Sequence, residues 1–597
     1  MELNYRKNKN ENLFKKMCDS DFLDLENIQN YIPLYNVFFD LNESNYNNIN
    51  LNNKYRLFDI NKKKNYSKFD CTIIDYSDNI YNKEVFFKYS PLVDPIKYMI
   101  GKYESSYNIY NLPSIKKEKY ILEKVYDPNN SAYSDGFFYY LSSLLLTNYN
   151  FINGINYYGS FISNKNNFIV NIEDDIEYLD DSDFFHKNNN ILFSVTDTNN
   201  NLFNNTKKYK TKIEISDFEE NIDIIDIIDI TDNNVEENNK KINVELTYSN
   251  ENNINNENNE NNENNENNEN NENNENNENN ENNENSINNI NNENNKKRQK
   301  TNDNNNSKSS CSSRYSNTES DNSEEEELEE DIENSSIESD SSNIEEIFIN
   351  IHKFPVQIIS LECCENTLDD YICNNKIKDN EWESIILQII FTLITYQKVF
   401  DFTHNDLHTN NIVYNSTEKK FLYYKYNNKH YKIPTFGKIY KIIDFGRAIY
   451  KFKGKQITSD SYSSDGDAAT QYNCEPYLNI NKPRLDPNYS FDLCRLGCSL
   501  FDYFIDDIDD IKKLKSPIKK IMVSWIFDDK NKNILYKNDG SERYPDFKLY
   551  KMIARTVHNH TPQKVLKNEL FDKYTISKKK INNPEAIFNI DEIPIMV

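Results

Sequence analysis

Three polar residues and one tripeptide stand out by type and spacing. In Phe402-Thr403-His404-Asn405-Asp406-Leu407-His408-Thr409-Asn410-Asn411-Ile412, an aspartate is followed five residues later by an asparagine. Thirty-three residues beyond Asn411, Lys441-Ile442-Ile443 runs into Asp444-Phe445-Gly446. This set suits phosphoryl transfer, which asks the protein for positioning and charge stabilisation more than for covalent chemistry. One carboxylate must orient an attacking hydroxyl and take its proton, and oxygen ligands must hold Mg²⁺ against a triphosphate. Asp406 fits the first role, and Asn411 and Asp444 fit the second. Each motif alone recurs by chance; the two in this order are hard to explain as unrelated turns and strand ends.

These residues need elements to position them. Glu84-Val85-Phe86-Phe87-Lys88-Tyr89, Phe168–Ile172 and Val356–Leu361 read as strands rich in β-formers. Phe137–Leu146 reads as an apolar helix starting after Ser134-Asp135. Glu383–Phe400 reads as a long amphipathic helix with Ile386, Ile389, Ile390, Leu393 and Ile394 on one side. Phe421–Tyr431, around Asn427-Asn428, reads as an extended hairpin that either shapes substrate access or elaborates the surface. Strands before and helices after imply two differently built lobes beside a cleft.

Much of the remaining chain lacks folding signals. From Glu257 to Glu284 a glutamate recurs every third residue between Asn pairs, which offers no apolar face to bury. A Ser-rich acidic tract follows, with Ser323 before Glu324–Glu327 resembling an acidophilic phosphorylation site. The disordered insertion is expected from Asp175 to Glu345. Within it, Lys296-Lys297-Arg298-Gln299-Lys300 is a candidate nuclear-localisation or phosphate-binding patch, set against a plain solvated cluster. The Asp-Ile-Ile repeat over Ile222–Ile230 reads as a weak local helix. With 97 acidic against 69 basic residues and a net charge of −28, the chain is not expected to coat nucleic acid. Nine scattered cysteines without a C-x-x-C pair suggest neither a disulfide framework nor a zinc site. No signal sequence or run of about 18 apolar residues is apparent, so a soluble intracellular protein without membrane partners is expected.

At the two motifs the chain resembles the eukaryotic-type protein kinase family. Ser490-Phe491-Asp492-Leu493-Cys494-Arg495-Leu496-Gly497-Cys498 looks like that family's helix F segment, and the stretch Leu361–Asp369 looks like its interlobe hinge. Phe87–Leu92 followed by Asp94-Pro95 is also similar to kinase-like proteins of giant DNA viruses. The resemblance covers residues 80–172 and 346–560. It implies an α+β, bilobal protein-kinase-like fold with a β-rich N-lobe and a helical C-lobe. Its parts would be an N-lobe with N-terminal extension (1–174), the insertion (175–345), the last N-lobe strand and hinge (346–362) and the C-lobe (363–597).

The resemblance further implies a Ser/Thr protein kinase using ATP and Mg²⁺. Asp406 would be the base, and Asn411 and Asp444 the Mg²⁺ ligands. Lys88 would hold the α- and β-phosphates, the backbone of Glu362 and Cys364 would meet adenine, and Leu361 would be the gatekeeper. His404, Phe445, Gly446 and Asp492 would be structural support. The acceptor would be a protein substrate, or the chain's own serine tract by autophosphorylation. Several features depart from the family pattern. No glycine precedes Gly101, so a glycine-rich loop is absent upstream of Lys88. The carboxylate partner of Lys88 is open among Asp135, Glu118 and Glu123. Asn405 stands where an arginine is usual, which disfavours control by a phosphorylated activation loop, and His408 stands where a lysine is usual. Cys474-Glu475-Pro476 replaces the Ala-Pro-Glu landmark. A pseudokinase acting as a binding module and a small-molecule kinase are the competing expectations.

Overall fold

The computed structural model describes residues 2–103, 107–117, 119–195, 347–581 and 586–597. The Lys296–Lys300 cluster, Ser323 with its glutamates, the Ile222–Ile230 repeat and Glu118 lie outside the described residues. The architecture is mixed α/β, strand-rich in its N-terminal part and richer in helices in its C-terminal part.

The N-terminal part is organised by one antiparallel sheet. Its strands run, edge to edge, Leu25–Gln29, Tyr157–Asn171, Phe348–Glu362, Ile80–Pro91, Lys68–Ile74 and Arg56–Lys63. Residues directly opposite in such a ladder share a face, and neighbours along a strand alternate. Lys88 lies opposite Ile359, and Phe86 opposite Leu361, so these four define one face. The other face buries Val85 and Phe87, and there Phe14 of the helix Glu11–Met17 meets Phe161 edge-on at 5.3 Å.

On the Lys88 face packs the helix Ser131–Tyr149, buried from Ala132 to Leu145. A helix apolar on all sides needs cover all round, and the sheet supplies one wall. Gly136 permits the approach: a Cβ there would run into the side-chain amide of Gln357 and lie 3.4 Å from Ile359 Cδ1. The sequence placed this helix after Ser134-Asp135, whereas it begins at Ser131. Asn130 is the cap, accepting from the Ala132 N–H at 3.0 Å and donating to the Leu92 and Lys124 carbonyls. Asp135 is therefore inside the helix, and its carboxylate is free for a tertiary partner.

The insertion also begins later than its acidic composition suggested. Residues 175–195 fold into the helices Ile176–Asp180 and Asp183–Asn188 and the strand Phe193–Val195, which pairs with Ile349–Ile351. Leu179, Phe185, Phe193 and Val195 are buried. Four well-spaced apolar residues outweigh the surrounding carboxylates. Because Val195 pairs with Ile349, the strands on either side of the long segment lie side by side in the sheet. A long segment added there costs little closure entropy.

The C-terminal part is built around the helix Asp379–Phe400. It is the one described helix long and apolar enough to cross a membrane, but 94% of its apolar window is buried within the fold. The hairpin of Phe421–Tyr426 and Lys429–Pro434 turns at Asn427 and Asn428, both with left-handed φ. Leu422, Tyr424, Tyr431 and Ile433 bury one face of it against the core. Tyr424 stacks on Phe391 at 4.4 Å, and the strands Thr575–Ile576 and Ile587–Asn589 extend it into a four-stranded sheet. The helix Phe491–Phe504 completes this core, and none of the eight described cysteines forms a disulfide.

One buried cation in the sheet gives a pH test. Lys165 is 5% exposed, with Nζ 5.2 Å and 5.6 Å from the ring centres of Tyr66 and Tyr89 and bonded to the Asn166 carbonyl at 2.7 Å. Burial pushes its pKa down to about 8. Between about pH 8 and the ordinary lysine value of 10.5 the unfolded chain binds more protons at this site, so its contribution makes stability rise with pH there. Lys165→Met should remove that rise and add on the order of 1–2 kcal/mol at pH 7. Chemical denaturation across the pH range checks both.

Candidate active site

The strand Ile80–Pro91, the helix Ser131–Tyr149 and the loop at Asp444 converge on one ammonium group. Lys88 Nζ lies 2.7 Å from Asp135 Oδ2 and 2.8 Å from Asp444 Oδ1. Asp135 is 1% exposed, whereas the Asp444 side chain is half exposed at 50%. Burial pushes the Lys88 ammonium down, but Asp135 and Asp444 outweigh it and its pKa lies well above the lysine value. Burial likewise raises both carboxyls; Lys88 overcomes it at Asp444, which is held far below the carboxylate range, while Asp135 remains raised. Of the three candidate partners for Lys88, the structure selects Asp135; Glu123 pairs with Lys117 instead.

The same helix fixes the tripeptide. The Phe445 N–H donates to Asp135 Oδ1 at 2.8 Å, and the Asp444 N–H donates to the Tyr139 hydroxyl at 2.9 Å. The Phe445 ring is fully buried between Phe138 at 4.6 Å and Tyr139 at 4.8 Å. Asp444 itself is left-handed, with φ 65°. That conformation is costly for a non-glycine residue and persists where surrounding contacts over-determine it.

The 402–412 loop is fastened from the helix Phe491–Phe504. Asp492, fully buried, accepts from the His404 N–H at 3.1 and 3.0 Å and from the Asn405 N–H at 2.9 Å. Asn405 is also left-handed, φ 64°. Its amide donates to the Arg447 carbonyl, and its oxygen accepts from the Tyr472 hydroxyl at 2.8 Å. His404 Nε2 donates to the Ile443 carbonyl at 2.8 Å, joining the loop to the strand end before Asp444. Arg447, next after Gly446, forms a 2.6 Å ion pair with Asp467.

Asp406 Oδ1 accepts from the Tyr550 hydroxyl at 2.7 Å, with Arg495 Nε 3.8 Å away. Burial pushes this carboxyl up, but the Arg447 and Arg495 guanidiniums and the Tyr550 hydroxyl hold it below the carboxylate range. Asn411 Nδ2 donates to the Asp406 carbonyl at 2.9 Å and to His408 Nε2 at 3.1 Å. A nitrogen that accepts carries no proton, so His408 is neutral there, consistent with burial lowering its pKa to about 4. It cannot act as the point charge that a lysine would supply.

Among the described residues, no group of three or more His, Cys, Asp or Glu is arranged to hold a metal ion. The two predicted Mg²⁺ ligands still fit a hard cation that completes its shell with phosphate and water oxygens. Asp444 offers a half-exposed carboxylate, and both donor bonds of Asn411 run through its nitrogen, leaving its oxygen as acceptor.

The predicted hinge residues lie at and just beyond the end of the strand that pairs with the Lys88 strand. Leu361 is buried on the Lys88 face. Glu362 and Cys364 line a cavity of about 410 Å³ whose walls also include Lys68, Glu84 and Asn415, but not Lys88, Asp406 or Asp444. The Glu362 carboxylate pairs with buried Lys441 and accepts from Asn156 at 2.6 Å. Lys441, three residues before Asp444, thus ties the strand Phe348–Glu362 to the strand Lys438–Ile442. No family model and no curated protein matches this chain.

Sequence reasoning missed Tyr139, Lys441, Arg447 and Tyr550. Arg447 adjoins the tripeptide and had a local signal; Tyr550, 144 residues from Asp406, had none. Replacing Asp492 by alanine would leave two buried N–H groups without their acceptor. The expected cost is about 3–5 kcal/mol, with amide exchange at His404 and Asn405 accelerated. Urea denaturation and hydrogen exchange would read the two effects.

Proposed function

We propose that this chain is a divergent protein kinase of bilobal kinase-like fold, transferring the ATP γ-phosphate to serine or threonine hydroxyls of proteins. The observation that carries the reading is the meeting of Lys88, Asp135 and Asp444 beside a loop that holds Asp406 and Asn411. Residues from a strand, a helix and two loops have no common packing reason to place these charges together. Ion pairs buried as structure alone are more often replaceable by apolar groups.

In this reading Asp406 orients the incoming hydroxyl and takes its proton, and its depressed pKa keeps it ionised for that task. Lys88, already charged between two carboxylates, turns its remaining donor capacity to the phosphates. Mg²⁺, held by Asp444 and Asn411 with phosphate oxygens, would neutralise charge on the triphosphate. Asp492, Asp135 and Tyr139 fix the backbone that presents these groups.

One observation favours the second reading, a kinase-shaped binding module. The hairpin between Arg56–Lys63 and Lys68–Ile74 turns within Lys64–Ser67 and is bonded down to the Lys88 strand. The Phe87 N–H donates to the Ser67 carbonyl at 2.8 Å, and the Tyr89 hydroxyl to the Tyr66 carbonyl at 3.2 Å. Without glycine, this turn does not offer the close backbone approach to phosphates that a glycine loop gives. Weak nucleotide affinity follows, not loss of the reacting groups.

Labelled-ATP transfer to a basic protein separates the readings. Wild type should transfer in Mg²⁺; Asp406→Asn should lower kcat by at least about 10²-fold while nucleotide binding persists. Asp444→Ala should abolish transfer and the Mg²⁺-dependent part of the thermal shift. Nucleotide binding without transfer by wild type would select the binding module, and no nucleotide binding would sink the kinase reading.

A further inference from the structure

We propose that Tyr550 is a positioning residue for Asp406: its hydroxyl, aimed by Arg495, occupies one carboxylate oxygen and leaves the other to the incoming hydroxyl. This rests on the reading of Asp406 as the proton acceptor.

The argument begins with hydrogen-bond direction. Arg495 lies on the helix Phe491–Phe504, three residues after Asp492, and Tyr550 on the helix Lys548–Thr556. Arg495 Nε donates to the Tyr550 oxygen at 2.9 Å, and that oxygen is 2.7 Å from Asp406 Oδ1. A guanidinium can only donate. The tyrosine oxygen must therefore accept from Arg495, and its own proton is directed at Asp406. Tyr550 is fully buried, as is Arg495 at 2% exposure, so neither group has room to reverse the order.

The surrounding charges reinforce it. The guanidinium carbons of Arg495 and Arg447 lie 5.2 and 5.5 Å from the Tyr550 ring centre, and Arg447 is held by Asp467. The ring packs on Phe547 at 5.4 Å with its plane nearly parallel. Two cations thus flank a phenol whose oxygen faces the carboxylate, which favours ionised over protonated Asp406. With Oδ1 engaged, Oδ2 is the oxygen available for proton transfer. The device couples two helices distant in sequence to one reacting atom.

Tyr550→Phe removes the hydroxyl alone. Steady-state transfer from Mg-ATP to a basic protein, measured across the acid-to-neutral range, should show kcat about tenfold lower with KM for ATP unchanged. The acid limb of the kcat profile should move up by about one pH unit as the carboxyl becomes easier to protonate. In an Asp406→Asn background the same substitution should leave the residual rate unchanged, because the coupled partner is already altered. Should Tyr550→Phe fail to fold by thermal melting, Arg495→Lys is read in its place, with a several-fold loss of kcat and the same direction of the limb. An active wild type with an unmoved acid limb and kcat in the variant overturns the proposal, as does an equal loss in the Asp406→Asn background. A wild type without transfer fails the kinase reading itself, and the proposal with it.

Discussion

A single ammonium group between two carboxylates sets the architecture of the site. Asp135 and Asp444 would repel one another at this separation, and Asp135 is almost wholly removed from water. Only a cation placed between them makes their approach favourable, and removal of one partner leaves a buried charge uncompensated. Lys88 therefore fixes the distance between sheet, helix and loop. The other contacts follow from it: Gly136 lets the helix come close enough, and Phe138 and Tyr139 then enclose Phe445.

A second constraint lies beneath the 402–412 loop. The left-handed Asn405 would relax if its backbone were free, and Asp492 prevents this by taking two consecutive N–H groups. The two constraints meet through His404, whose ring bonds the Ile443 carbonyl just before Asp444. The lysine cluster and the loop are thereby parts of one hydrogen-bonded frame. Lys441 and Glu362 carry that frame to the end of the Phe348–Glu362 strand. Under the proposed activity, such rigidity would supply the preorganised charge that phosphoryl transfer requires.

The elements were legible where their apolar pattern was strong. Val356–Leu361, Glu84–Tyr89 and Glu383–Phe400 fall within the observed strands and helix, and Asn427-Asn428 forms the turn its residue types suit. Boundaries were misread where a tertiary partner replaced local chemistry. Ser134-Asp135 has the composition of a cap, yet Asn130 takes that role because Leu92 and Lys124 present carbonyls to its amide. Residues 175–195 have the composition of a disordered acidic tract, yet Phe193 and Val195 find an open strand edge at Ile349–Ile351.

The sequence alone determined which groups are available: Asp406, Asn411 and Asp444 at informative spacing, Lys88 on a strand, and Asp492 at the head of a helix. Spacing along a loop or helix is a local property, so it is readable without the fold. Only the tertiary structure decided who pairs with whom. It chose Asp135 over Glu123 for Lys88, gave Asn405 a neutral bridging role, and brought Tyr550 and Arg495 to Asp406. Those choices depend on the closeness of one helix to one sheet and of two helices to one loop. Such distances are set by packing across tens to hundreds of residues, which no local pattern encodes.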